Sequence, residues 1–239
     1  MQSSAPAERS QAVLAIGHQR ETRAIDQLVA ILCTDDDLNV QEDTTWSLVR
    51  MGSDAVDALL PAIEHDDPKA RHNVVHTLGK IADVRALDTL IQATSDADQK
   101  VRYKAIYALG QIGHVDALEA LIAALDDDVQ EVSWMARETL EGYGDKATMH
   151  LIAALDSASA VVQELLISLL GDTRDERAVE PLIALLAAPD WQIRFAAIQA
   201  LGELGDARAL PGLRALVDDD DARIRAIAKA MSAQLNGVS

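Results

Sequence analysis

His72 and His76 stand four residues apart, a spacing that places two imidazoles on one helix face and supplies half of a metal site. No third ligand is evident, since the neighbour is Asn73, and the pair reads as ordinary exposed helix histidines. Aspartate runs at 35–37, 66–67, 126–128 and 218–221 lack the spacing of an EF-hand loop. Helix N-caps and first turns favour aspartate, which accounts for them. Cys33 is the single cysteine; it excludes an internal disulfide and a multi-cysteine metal site, and it reads as a packing residue rather than a nucleophile. Arg71, Arg102, Arg194 and Arg225 each follow an apolar residue at one recurring position. Catalysis needs a singular residue, so the recurrence predicts a structural role, pairing with turn aspartates. No catalytic residue, metal or cofactor is expected.

The aromatic residues are more informative, because they make up only 3% of the chain. Trp46, Tyr103, Tyr107, Trp134, Trp191 and Phe195 fall in or just before helical segments at related positions, and only Tyr143 falls outside this pattern. One ladder reads Glu42, His72, Tyr103, Trp134, Glu164, Phe195, Ala226; one turn on, a second reads Trp46, His76, Tyr107, Glu138, Ser168, Gln199, Ala230. Lys69, Lys100 and Lys104, half of the six lysines, lie beside the ringed part. Aromatic anchors next to a cation are what interface hot spots use. The candidate partner-binding residues are therefore Trp46, Lys69, His72, His76, Lys100, Tyr103, Lys104, Tyr107, Trp134 and Phe195. The competing reading is that these rings pack sideways on neighbouring helices.

The elements that would position them follow from a repeat. Leu48, Leu78, Leu109, Leu140, Leu170 and Leu201 recur 30 or 31 residues apart. Two further columns keep step: Leu28, Leu59, Leu90, Leu121, Ile152, Leu182, Leu213, and Ile25, Val56, Leu87, Leu118, Met149, Val179, Leu210. A fixed period of this length marks a stacked repeat array. Within a unit such as 84–114, Leu87, Leu90 and Ile91 share one helical face, as do Val101, Ala105, Ala108, Leu109 and Ile112. Neither helix buries its stripe alone, so stripes meet within and between repeats. Strand signals are absent. The chain is predicted to be an all-α solenoid of about seven helix pairs, at 21–52, 53–83, 84–114, 115–145, 146–175, 176–206 and 207–237. Residues 8–18 are read as a partial cap and 1–7 as a flexible N-terminus, with 8–239 a single domain. Gly113 and Gly205 suit left-handed C-caps, and Gly79, Gly110 and Gly202 permit close helix approach. Pro181 and Pro211 are expected to bend first helices.

Val101-Arg102 through Gly113 follow the pattern V-R-x-x-A-x-x-A-L-G-x-I-G, and Asp175 through Ile183 read D-E-R-A-V-E-P-L-I. The chain resembles the HEAT-like repeat family, in the short form named after phycobilisome bilin lyases, from about residue 10 to 237. Repeats one and five drift, with Gln41 and Gln163 in place of the arginine and Gly171 opening GDTRD. The resemblance implies a right-handed superhelix with second helices on its concave side. Three enzyme classes also resemble this scaffold. HEAT-like deoxyhypusine hydroxylases carry His-Glu dyads, which this chain lacks, Arg71-His72-Asn73 being the nearest match. HEAT-like DNA glycosylases use a basic face. A bilin lyase subunit handling a tetrapyrrole is the alternative function, with no residue to carry over as catalytic.

The formal net charge is −18, with 27 Asp against 12 Glu and 15 Arg against 6 Lys. A field of that sign opposes phosphate backbones and anionic lipid. The balance also suggests a saline cytoplasm, although repeat turns favour Asp independently. No apolar run is long enough to cross a membrane, and no secretory signal is visible. The sequence thus predicts a cytoplasmic, non-catalytic adaptor binding a protein or peptide rather than nucleic acid or membrane; it leaves the oligomeric state open, with a monomer favoured.

Overall fold

The computed structural model describes residues 5–237, and every described element is helical. The helices are α1 Pro6–Gln19, α2 Ile25–Thr34, α3 Leu38–Met51, α4 Val56–Leu59, α5 Pro68–Ile81, α6 Leu87–Ala93, α7 Gln99–Ile112 and α8 Leu118–Ala123. They continue as α9 Gln130–Tyr143, α10 Thr148–Ala154, α11 Ala160–Asp172, α12 Val179–Leu185, α13 Trp191–Leu204, α14 Leu210–Ala215 and α15 Ala222–Gly237. Two compact units result, one of Met1–Ala120 with Asp128–Met135, the other of Leu121–Asp127 with Ala136–Ser239. In the first, α1, α3, α5 and α7 pack in succession, with α2 against α3 and α5, and α6 against α7. In the second, α11, α13 and α15 pack in succession, backed by α10, α12 and α14. Each unit is therefore a stack of helix pairs, the all-α solenoid architecture that the period predicts.

The leucine column Leu48 to Leu201 is buried throughout, each member at most 2% exposed. The other two columns hold except in repeat five and at Leu210 of repeat seven, which is half-buried. In repeat five Met149 is 53% exposed and Ile152 only half-buried, while Thr148 (0%) and Leu151 (1%) occupy the core. The register slips by one residue because a Thr takes the apolar position, which hides the true column from a reading of hydrophobicity.

First helices are shorter than the periodicity predicts. Each opens on a 3-10 turn, such as Val84–Ala86 or Glu176–Ala178, and α4 is flanked by 3-10 segments Gly52–Ala55 and Leu60–Glu64. Pro61 in the latter lacks the N–H that an α-helical ladder would use. Pro181 and Pro211 fall in the first turns of α12 and α14, where the first N–H groups have no intrahelical acceptor. Each of these helices follows directly on a 3-10 turn, Glu176–Ala178 or Ala207–Ala209.

Turn aspartates cap second helices as expected. Asp37 accepts from the N–H groups of Asn39 and Val40, Asp98 from Lys100 and Val101, and Asp190 from Gln192. Gly113 and Gly205 are left-handed C-caps, at φ 66° and 69°. A positive φ recurs at Arg20, Gly52, Ala82, Gly144 and Arg174, although Gly52, with ψ −134°, lies outside the left-handed helical region, so the positive-φ residue is a column of its own that glycine only partly marks. Gly79 serves close approach: a Cβ there would lie 2.7 Å from that of Ala108 on α7.

α1 begins at Pro6, so residues 6–7 of the segment expected to be loose are helical; residues 1–4 lie outside the described residues. α1 packs on α3 as a second helix would, and Ser47 Oγ donates to the Val13 carbonyl at 2.8 Å.

Candidate partner-binding face

Recurring arginines stitch the repeats together and leave the face of the second helices to other side chains. Arg71 donates through Nε and Nη2 to both Asp96 oxygens, at 2.7 and 2.8 Å, and through Nη1 to the carbonyls of His65 and Asp66. Arg102 Nη2 reaches Asp128 and Arg194 Nη2 reaches Asp219, both at 3.0 Å, and each also donates to carbonyls of its own turn. Arg225 keeps the carbonyl contacts, to Asp219 and Asp220. Arg9 on α1 repeats the fork with Asp35, a member of the set that the sequence reading missed because repeat counting starts at residue 21.

Two adjoining pockets open on the second helices of the first unit. The first, about 380 Å³, has Tyr103, Val129 and Val132 as apolar wall and Lys100, Lys104 and His72 as cations or ionisable groups. The second, about 450 Å³, has Leu38 and Pro68 as apolar wall, with Lys69 and Asn73 beside them. His72 and Lys100 line both, so these two residues form the divide. Of the sequence-predicted residues, Lys69, His72, Lys100, Tyr103 and Lys104 come together here.

The others sit elsewhere. His76 stacks on His72, ring centroids 6.3 Å apart with 13° between planes. Tyr107 is exposed and carries the Lys104 ammonium 5.3 Å from its ring centre. Trp134 is 74% exposed but lines neither pocket. Trp46 meets His18 edge-on at 4.9 Å and has the Arg50 guanidinium at 4.8 Å. In the second unit, Phe195 meets Trp191, whose ring is covered by the Arg223 guanidinium at 3.3 Å. Leu38, 71% exposed, was missed by the sequence reading, because only rings and lysines were followed. Cys33 is half-buried, and burial raises its thiol pKa, with Asp67 adding to the effect.

The His76 pKa is pushed down to about 4, first by burial, then by the Lys104 and Lys80 ammonium groups, against the opposing charge of Glu42. Its Nδ1 is buried without a hydrogen-bond partner. His72 is lowered too, chiefly by burial, with Asn73 opposing through a hydrogen bond. Unfolded histidine titrates near ~6.5. Between that value and about 4 the unfolded chain binds a proton that folded His76 refuses. This contribution is fully present above ~6.5 and is lost as pH falls through the window. His76→Gln is therefore expected to flatten the fall in urea midpoint from pH 6.5 to 4.5; an unchanged slope would contradict the assignment.

Among the described residues no three His, Cys, Asp or Glu side chains group as metal ligands, and no helix is long and apolar enough to cross a membrane. The chain matches the family of HEAT repeats over residues 1–67, 56–141 and 148–232. No curated protein sequence matches it. Among solved structures it is similar to the archaeal HEAT-like repeats protein from Thermococcus onnurineus NA1, at 17% identity and TM-score 0.55, covering 90% of this chain and 97% of that one. Human deoxyhypusine hydroxylase is 21% identical with TM-score 0.42, over 93% of this chain and 99% of its own. The complex of CpcE and CpcF of phycocyanin lyase from Nostoc sp. PCC7120 is 19% identical with TM-score 0.45, over 96% and 91%. Stacked helix pairs, arginine forks between repeats and a family match across most of the length agree: the chain belongs to the HEAT repeat family.

Proposed function

We propose that the chain is a non-catalytic protein-interaction module that binds a partner segment along the second helices of its first unit. The observation that carries this reading is the pair of pockets joined through His72 and Lys100, spanning residues from α3 to α9. Large apolar side chains are exposed on the same second helices: Leu38, which walls the second pocket, Tyr107 on α7 and Trp134 on α9. Such groups are candidate anchors when gathered on one face rather than scattered. Tyr103 lines the first pocket, Trp134 and Tyr107 offer exposed rings on α9 and α7, and His76 stacks on the shared His72.

The test is retention of a partner from native lysate by the tagged full chain and its variants. Tyr103→Ala and Trp134→Ala are each expected to weaken the retained partner by about 1 kcal/mol or more, the range of hot-spot truncations. Phe195→Ala should matter less. Val84→Ser, at an exposed position opening a first helix, should leave retention unchanged. Normal retention by both central variants, with loss in Val84→Ser, would move the binding face to the first helices.

A further inference from the structure

The face is richer in lysine than the rest of this acidic chain. The chain has a net charge of −18, yet three of its six lysines converge here. The neighbouring arginines are engaged: Arg71 with Asp96, Arg102 with Asp128 and Arg85 with Asp57 and Asp83. No carboxylate of a described residue lies within ion-pair reach of Lys69, Lys100 or Lys104, whereas Lys80 pairs with Glu42 at 3.3 Å. Three carboxylates, Asp67, Asp98 and Glu131, also occur in the linings, and the two aspartates keep their charge while capping helices. Asp67 accepts from the Lys69 N–H at 2.9 Å and Asp98 from the Lys100 N–H at 2.8 Å, both as helix caps. Glu131 remains, exposed on α9. The second pocket balances Lys69 and Lys100 against Asp67 and Asp98, but in the first Lys100 and Lys104 face Glu131 alone, and the acidic surface beyond ~8 Å is largely screened at physiological salt.

Apolar surface and charge alternate along the face. Tyr103, Val129 and Val132 wall one pocket, Leu38 and Pro68 the other, with Lys100 and His72 between. Successive packed helices lie ~8–10 Å apart, and an extended chain advances ~3.1 Å per residue. Neighbouring pockets one helix apart are thus about three residues apart along such a chain.

Resting on the binding face proposed above, we infer that its occupant is an extended acidic segment of a partner protein. Two apolar side chains about three residues apart enter the two pockets, and the acidic residues between them meet Lys100 and its neighbours. A carboxylate here offsets the unfavourable burial of Lys104, whose pKa is lowered first by desolvation, then by Lys80, against Glu42. A basic segment would bring like charges together.

Fluorescence anisotropy of the full chain tests this with three labelled peptides in one Gly-Ser frame: Leu-Asp-Glu-Phe, Leu-Lys-Lys-Phe and Ser-Asp-Glu-Ser. The first is expected to bind roughly tenfold more tightly than either of the others, and to weaken as salt rises. Lys100→Glu with Lys104→Glu should abolish the preference. Lys100→Gln should reduce it, guarding against a folding defect in the double variant, and Lys146→Glu, a lysine outside both pockets, should not change it. Equal or tighter binding of the lysine peptide, no peptide binding, or indifference to charge reversal overturns the inference. If Tyr103→Ala still loses the natural partner in that case, the binding face stands and only the ligand class fails. Concentration-dependent dimerisation in light scattering, abolished by the double charge reversal, would assign the face to a second copy and also overturn it.

Discussion

Replacing Leu109 with alanine is expected to destabilise the chain by about 2–5 kcal/mol, the transfer term for the lost methylenes plus the cavity left behind. Leu109 is fully buried on α7, which packs against α5 and α6. Collapse of the surroundings is hindered on both sides, because Gly79 already brings α5 as close to Ala108 as backbone allows. The measurement is the urea or guanidinium midpoint at constant slope. Val161→Ala is the control: Val161 is 70% exposed on α11, and surface changes of this kind stay within about 0.5 kcal/mol. Equal midpoints for the two variants would mean that the leucine column does not carry the fold.

That column was legible because one position demanded one property in every repeat. Leu48, Leu78, Leu109, Leu140, Leu170 and Leu201 all meet neighbours in the same way, and burial follows. Legibility failed where a polar residue met the same demand. Thr148 is fully buried in a column where Met149 looked the better candidate, so the slip in repeat five was invisible to a hydrophobic count. The left-handed turn residues failed likewise: Arg20, Ala82 and Arg174 adopt the conformation that glycine advertises elsewhere. For the proposed binding face, spacing grouped His72, Tyr103 and the three lysines, which line the two pockets, since residues at equivalent repeat positions project from packed neighbours. It could not tell which rings a neighbour covers. Trp46 occupies a ladder position, but α1 brings His18 against it. Ladder position fixes direction; cover depends on the side chains of the adjoining repeat.

Arg71→Ala is the second large effect, expected to cost about 2–3 kcal/mol. This lies between the roughly 0–1 of an exposed ion pair and the roughly 3–5 of a buried pair broken on one side. Side-chain exposure is 16% for Arg71 and 12% for Asp96, so the abandoned carboxylate is poorly hydrated. Asp96 also accepts from the Asp98 N–H at 2.8 Å, which holds it in place when the arginine is gone. The chain contains its own control for this coupling. Gln163 stands where an arginine would, donating to the Leu155 carbonyl at 3.1 Å, and the residue 25 positions on, where Arg71 finds Asp96, is Ala188. Where the cation is missing at Gln41, the corresponding Asp66 is exposed to solvent. Where the aspartate is largely buried, as Asp35, Asp96 and Asp219 are, it is paired with an arginine, and losing that arginine alone is what costs. Arg71→Lys should recover little, since an ammonium cannot hold both carboxylate oxygens and two carbonyls at once. Arg71→Gln with Asp96→Ala, the pairing already present at Gln163 and Ala188, should recover most of the loss. Thermal or chemical denaturation of the single and double variants reads this directly as a coupling energy. Additive losses would show that the forks between repeats are only surface decoration.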